Sequence, residues 1–181
     1  MITPEIERIA KKASVKIHYR GDELIIKKVF RMNNSANIGV LLLMAGGAFL
    51  TYLGTVNSGG VVIKSIFVLL GAFMFVAFLW VFIAQFIDRV IITNIHIEAV
   101  YKLKKTVWAS SGDLSATMKS ERVVVKSVLG PESFFRVVHI DIKSGGNETC
   151  IFTFQMDNKY AAEADKLGNE LAQLINKKPA T

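Results

Sequence analysis

Cysteine is almost missing from this sequence. Among 181 residues there is one, Cys150, so no internal disulfide can form and nothing points to a disulfide-stapled secreted domain. Charge is thin as well. Charged residues make up 20% of the chain and hydrophobic residues 51%, and the mean hydropathy is +0.38, a balance that an ordinary soluble domain does not reach. The deficit is local. Residues 37 to 87 contain no acidic side chain and a single basic one, Lys64, whereas residues 1 to 36 hold eight Lys/Arg with four Asp/Glu, and residues 88 to 181 hold thirteen with eleven. A disordered chain, a collagen-like chain and a simple cytosolic globule are thereby excluded, which leaves a small membrane protein with polar flanks.

The first apolar run, Ile38 to Val56, has no charge; nineteen residues at about 1.5 Å each span roughly 28 Å, close to the hydrocarbon thickness of a bilayer. After Asn57-Ser58-Gly59-Gly60 a second run, Val61 to Ile87, is long enough to cross with tilt. Lys64 lies near its start, where the side chain can reach the headgroups. Two core helices of a soluble protein would need more polar chain to wrap them than the flanks supply. A cleaved signal peptide fits poorly, because charges of both signs fill the thirty-six residues ahead of the first run. A turn this short makes the helices antiparallel neighbours, and Gly39, Gly46, Gly47, Gly54 and Gly71 offer small surfaces for their contact. Basic residues flank the pair on both outer sides, Lys27, Lys28 and Arg31 before and Arg89, Lys102, Lys104 and Lys105 after, so both termini are expected in the cytoplasm.

The flanks have patterns of their own. Thr3-Pro4 followed by Glu5 and Glu7 is a helix start, and Ile2, Ile6, Ile9 and Ala13 share a face, which predicts a short helix suited to a membrane interface. Val15 to Arg20 alternates, Gly21-Asp22 turns, and Glu23 to Phe30 returns, a β-hairpin in need of a partner sheet. From Asp88 the period is two. Strands are predicted over Val90 to Tyr101 with a break near Asn94, Thr106 to Ser110, Glu121 to Val128, Phe134 to Lys143 and Thr149 to Gln155, forming a meandering antiparallel sheet. Val137, His139, Asp141 and Lys143 alternate with Val138, Ile140 and Ile142, the mark of one wet face. Asp157 or Asn158 then caps a helix whose face is Tyr160, Ala164, Leu167, Leu171, Leu174 and Ile175.

A β-domain of this kind, closed by one amphipathic helix and placed directly after a transmembrane hairpin, resembles the membrane-anchored bacterial PH-like domains. The resemblance rests on Asp88-Arg89 to Thr93-Asn94, Val125-Lys126-Ser127 through Leu129-Gly130, Arg136-Val137, and His139 to Gly146. The layout, with Ser35-Ala36-Asn37 before the first run, Phe78-Leu79-Trp80 in the second and Ala161 to Leu174 in the last helix, also resembles the two-span thylakoid family that assists photosystem I assembly. The glycine-proline-glycine-lysine loop of that family has no counterpart between Tyr101 and Trp108. Neither family brings a catalytic motif. The resemblance implies a membrane-tethered assembly or interaction module.

Catalytic and metal chemistry find little footing. His18, His96 and His139 fall on three different predicted strands, without the short spacing to another ligand that metal motifs use; only His139 and Asp141 share a strand face. Cys150 reads as a half-buried small hydrophobe. Gly145-Gly146 and Gly59-Gly60 are turns, and neither opens a helix after a strand as a phosphate cradle would. The runs hold no paired carboxylates, which argues against an ion-coupled transporter. The net charge of +7 invites a nucleic-acid reading. However, Lys102, Lys104 and Lys105 with Tyr101 and Trp108 follow the second run closely, where anionic headgroups are within a Debye length and each Lys contributes about 1 kcal/mol.

These observations predict a non-enzymatic α+β integral membrane protein of three parts. Residues 1–36 form a cytoplasmic helix and β-hairpin, 37–87 a transmembrane hairpin (38–56 and 61–87), and 88–181 a cytoplasmic PH-like domain. Its expected role is that of an assembly factor or accessory subunit of a membrane complex, in a bacterial inner membrane. The alternative is a module that senses anionic lipid. Lys102, Lys104, Lys105 and Trp108 are the candidate lipid- or partner-binding residues; the expected partners are complex subunits, membrane lipids or a second copy, with no nucleic acid and no cofactor.

Overall fold

A computed structural model describes residues 2–29, 35–56, 58–109, 114–126 and 132–177. The chain divides into two compact units, one made of Met1–Val29 with Ile87–Thr181 and one of Phe30–Phe86. The two polar flanks, far apart in sequence, therefore build a single domain.

Thr3 caps the first helix, α1 (Pro4–Lys12), by accepting the Ile6 N–H on its hydroxyl, and Pro4 occupies the first turn, where a missing N–H costs nothing. The apolar face predicted for a membrane interface is spent elsewhere, since Ile6, Ile9 and Ala10 are buried in the domain core. Ser14, at φ 56°, turns the chain into β1 (Val15–Arg20), which pairs with β2 (Glu23–Lys28) across Gly21 at φ 59°.

β2 pairs in turn with β3 (Arg89–Ile92), Leu24 opposite Ile92 and Lys27 opposite Arg89, giving the hairpin the partner sheet it needs. β4 (His96–Tyr101) and β5 (Lys104–Ala109) complete a five-stranded antiparallel sheet in the order β1-β2-β3-β4-β5. The break near Asn94 is thus a strand boundary. β6 (Ser115–Val125), β7 (Ser133–Ser144) and β8 (Asn147–Asp157) form a second, three-stranded sheet. The strands from Asp88 onward therefore build two sheets instead of the one meander expected, and β6 begins six residues ahead of Glu121. Asp157 caps a single 3-10 turn at Lys159, and α4 (Ala161–Asn176) follows.

One core joins all these layers: Ile9 of α1, Ile26, Val90 and Ile97 of the first sheet, Val138, Ile140 and Phe152 of the second, and Leu167 and Leu171 of α4. Fully burying each such side chain contributes about 1.5–3 kcal/mol. Gly168 permits the closest approach of α4 to its sheet, because a Cβ there would lie 2.7 Å from both Met118 Cγ and Val138 Cγ1.

The other unit holds α2 (Ser35–Val56) and α3 (Val61–Ile87). Two stretches, Ile38–Val56 and Val61–Ala84, are long and apolar enough to cross a membrane, and only 11% and 6% of them are buried in the chain. Core helices of a soluble protein would be buried, so these faces are available to lipid. The helices touch through glycine. A Cβ on Gly71 would sit 2.5 Å from Thr51 N and 2.6 Å from Gly47 O, and one on Gly54 2.9 Å from Val68 N. Of the five glycines predicted to serve packing, Gly47, Gly54 and Gly71 do so, whereas Gly39 and Gly46 face open space.

Candidate functional site

The chain leaves the β-domain for the helical hairpin at Val29 and returns at Ile87, and both points lie at one end of the first sheet. Asp88 organises that end. The residue is 4% exposed; its Oδ2 accepts from Lys28 Nζ at 2.8 Å and Oδ1 from the Lys102 N–H at 2.9 Å, while its carbonyl accepts the Lys28 N–H. The ion pair therefore bridges the residue before the exit and the residue after the return. A buried carboxylate with two charge-assisted or backbone donors is held in place far more firmly than a surface pair.

Lys102 and Leu103 form the two-residue turn between β4 and β5, both in the left-handed region at φ 48° and 68°. Turns of this kind favour Asn-Gly because a side chain there is strained. The Asp88 carboxylate holds the turn in this conformation, so the strain is fixed by a contact from the return point itself. Lys102 Nζ rests 5.3 Å from the centre of the Tyr101 ring. Among the described residues no carboxylate pairs with the ammonium groups of Lys102 or Lys104. Lys105 differs, because it reaches Glu98 at 2.9 Å, with Arg89 at 3.8 Å from the same side chain. The hydrogen bond from Lys105 holds the Glu98 carboxyl below its usual range, assisted by the charges of Lys105 and Arg89. Trp108 is half-buried against the core. The four candidate residues are thus brought onto one turn and one strand, and they divide into two unpaired lysines, one paired lysine and one packing aromatic.

β5 is also an edge. It pairs with β4 on one side, and among the described residues no strand pairs with the other. A two-residue turn closes on the hydrogen-bonded pair Tyr101 and Lys104; the antiparallel alternation then directs the N–H groups of Lys105 and Val107 away from β4. Val107 is 52% exposed.

A second polar cluster was only half legible. His139 and Asp141 do share a face, and a β-bulge between the Ile140 and Asp141 pairings brings Cys150 opposite Asp141, while Thr153 lies opposite His139. The bulge sends the consecutive residues Ile151 and Phe152 both into the core and returns Cys150 to the polar side. Thr153 Oγ1 is the hub: 3.1 Å from Tyr101 Oη, 3.2 Å from His139 Nδ1 and 3.5 Å from Cys150 Sγ. Cys150 Sγ is 4.0 Å from His139 Nδ1. Burial pushes both the Cys150 thiol and the Tyr101 phenol up from their ordinary values, so both stay protonated at neutral pH. A protonated thiol is a poor nucleophile and a poor metal ligand. Asp141, expected on the wet face, is 6% exposed and pairs with Lys119 at 3.2 Å. Among the described residues no three His, Cys, Asp or Glu side chains converge to hold a metal ion. The cluster acts as a hydrogen-bonded seam between β4 and the second sheet.

Thr153 and Asp88 were not singled out from sequence as site residues, and Tyr101 was read only as a neighbour of the lysines. Asp88 carried a signal, an acid at the end of an uncharged run, while the role of Thr153 depends on a bulge that no local pattern announces. Comparison of the chain with protein-family models, with curated proteins and with solved structures returns no match.

Proposed function

We propose that the protein is a two-span membrane protein whose PH-like flank domain acts without catalysis, as an assembly factor or accessory subunit of a membrane complex. The observation that carries this reading is the open edge of β5, where the outward N–H groups of Lys105 and Val107 and the unpaired Lys104 offer a partner a strand to extend and a positive charge to meet. The partner it fits is an extended segment bearing acidic side chains. Membrane insertion is supported by the exposed apolar faces of α2 and α3. The pairing of β2 with β3 supports a hairpin whose two ends lie on one side of the bilayer, and the flanking lysines favour the cytoplasm of a bacterial inner membrane.

Affinity purification from cells in mild detergent tests it. Stoichiometric recovery of one or more membrane subunits is expected, and Val107→Pro, which removes an edge donor while sparing the ladder to β4, should release them. Recovery of a bare monomer at native expression overturns the proposal.

A second reading, recognition of anionic lipid, is favoured by the meeting of Lys27, Arg89, Lys102 and Lys104 at the end of the sheet where the chain leaves for the hairpin. Native mass spectrometry of the full chain should then show retained phosphatidylglycerol that is lost in Lys102→Glu/Lys104→Glu. Equal retention in both removes this reading.

A further inference from the structure

The first sheet has two faces, and the core takes only one. Leu24, Ile26, Val90 and Ile92 point into the core, so by the alternation of the strands Lys16, Ile25, Lys27, Arg89 and Ile91 point the other way. On this outer face the ladder sets Lys16 directly opposite Lys27, and Lys27 directly opposite Arg89. Like charges directly opposite one another destabilise a sheet. Among the described residues no carboxylate pairs with Lys16 or Lys27, and the one beside Arg89, Glu98 at 3.8 Å, is held more closely by Lys105 at 2.9 Å. Three cations therefore stand abreast on neighbouring strands at a cost to the domain. Burial, and after it the charges of Lys16, Lys27 and Arg20, hold the pKa of His18 on the same face below its ordinary value.

An apolar pair lies one row along. Ile25 and Ile91 are opposite each other, two residues from Lys27 and Arg89 on the same strands, and neither belongs to the core. The spacing of the two rows says what fits them. Cross-strand neighbours have Cβ atoms about 4.5–5.5 Å apart, and residues three or four apart on a helix have theirs about 5–6 Å apart. An acidic stripe at i, i+3 or i+4, and i+7 on a helix lying across β1, β2 and β3 thus brings one carboxylate to each cation, and a helix about 10–12 Å wide covers the apolar row as well. An extended segment fits less well, because its same-face residues are roughly 6.4–6.8 Å apart. The face also twists by about 20–25° per strand, so the cations fan out, and a planar lipid surface does not follow them. A second copy of this chain is a poor match, since Glu5, Glu163 and Asp165 on its helices already pair with Lys166, Lys12 and Arg136.

We propose that the outer face of the first sheet docks an acidic amphipathic helix of a partner subunit, with its carboxylates over Lys16, Lys27 and Arg89 and its apolar side chains over Ile25 and Ile91. The proposal rests on the reading of the protein as an assembly factor or accessory subunit, and it uses a surface other than the β5 edge. Complementary charge supplies specificity and a fast encounter. The repulsion that the free domain carries is relieved when the carboxylates arrive.

The test places a photo-crosslinking amino acid at Ile25 or at Ile91 of the full chain in cells, with Asn147 in the β7–β8 turn as the control position. Both face positions should crosslink to one subunit, at a segment that mass spectrometry maps to acids spaced i, i+3 or i+4, and i+7, while position 147 does not reach it. Lys27→Glu sets an acid between two cations, so it should raise the thermal midpoint of the domain and yet abolish the crosslink, a pair of effects that misfolding does not produce. Changing one of the mapped acids to lysine should restore the crosslink to Lys27→Glu. Crosslinks to lipid, to a second copy or to a segment without the acidic stripe overturn the proposal, and so does a crosslink that Lys27→Glu leaves unchanged. If subunits co-purify with the chain while both face positions stay silent, this docking site alone fails; if none co-purifies, the assembly reading fails with it.

Discussion

The helical hairpin and the β-domain are stabilised by opposite means. In the β-domain large residues decide the structure, with Phe152, Ile140, Leu167 and Leu171 all at 1% exposure or less. In the hairpin the contact is made by residues without side chains, Gly47, Gly54 and Gly71, while the large ones, Leu42, Leu69 and Phe73 among them, point outward. The contrast is the one expected if the two units face different solvents, water for the domain and, on the proposed membrane reading, lipid for the hairpin. Water drives apolar side chains inward, so volume fills the core; lipid is as apolar as leucine, so helices associate through close backbone approach instead. Small-to-large changes should therefore harm the hairpin and large-to-small changes the domain.

The largest expected effect comes from emptying the domain core: Phe152→Ala should cost about 3–5 kcal/mol, read as a lowered thermal midpoint of the domain in nanodiscs with the helical signal of the hairpin unchanged. Next is Asp88→Ala. It leaves the Lys28 ammonium half-buried without its carboxylate and strips the support from the strained Lys102-Leu103 turn, a loss of about 2–3 kcal/mol, checked by the same melt and by faster hydrogen exchange at Lys102. Gly71→Leu should do the reverse of Phe152→Ala, costing about 1–3 kcal/mol in the helix contact. Spin labels at Leu42 and Ile83 should then move apart while the domain melts as before; an unchanged distance would break the comparison.

The smallest effect is a pH dependence. His18 has a buried Nδ1 with no hydrogen-bond partner among the described residues, and burial, then the charges of Lys16, Lys27 and Arg20, hold its pKa below the ordinary 6.5. Above that value the ring is neutral in both folded and unfolded chains and contributes no slope. As pH falls through it, the unfolded chain takes up a proton that the folded domain refuses, so stability declines. The thermal midpoint should drop as pH falls below about 6.5, and His18→Gln should flatten that portion of the curve.

Most of the elements were legible because each carries its own period. Val138, Ile140 and Ile142 announce the core face of β7, and the two apolar runs, with Lys64 their one charge, announce α2 and α3. What failed to show depends on partners distant in sequence. The apolar face of α1 suited either a membrane or a core, and only the presence of α4 and β1 beside it decides for the core. Residues 115 to 120 lack a run of β-branched residues, so β6 is recognised as a strand there only by its ladder to β7, with Ala116 opposite Ile142. The lysine cluster was visible, whereas its division into paired and unpaired members depends on Glu98 across the sheet. Lys102-Leu103 is poor turn chemistry, and nothing local reveals the carboxylate that sustains it.

The pairing of β2 with β3 also sets an order of events during synthesis. Lys28 and Asp88 are sixty positions apart, and at about 5–20 residues per second the ribosome needs roughly 3–12 s to make the chain between them. Throughout that interval α1 and the β1–β2 hairpin exist without the strands that bury Ile6, Ile9, Leu24 and Ile26. The domain can close only when both helices have been synthesised and the chain has come back to β2. A nascent chain that stops within the second helix would carry an amino-terminal segment with no sheet to join, so completion of the β-domain serves as a built-in report that both helices were made whole.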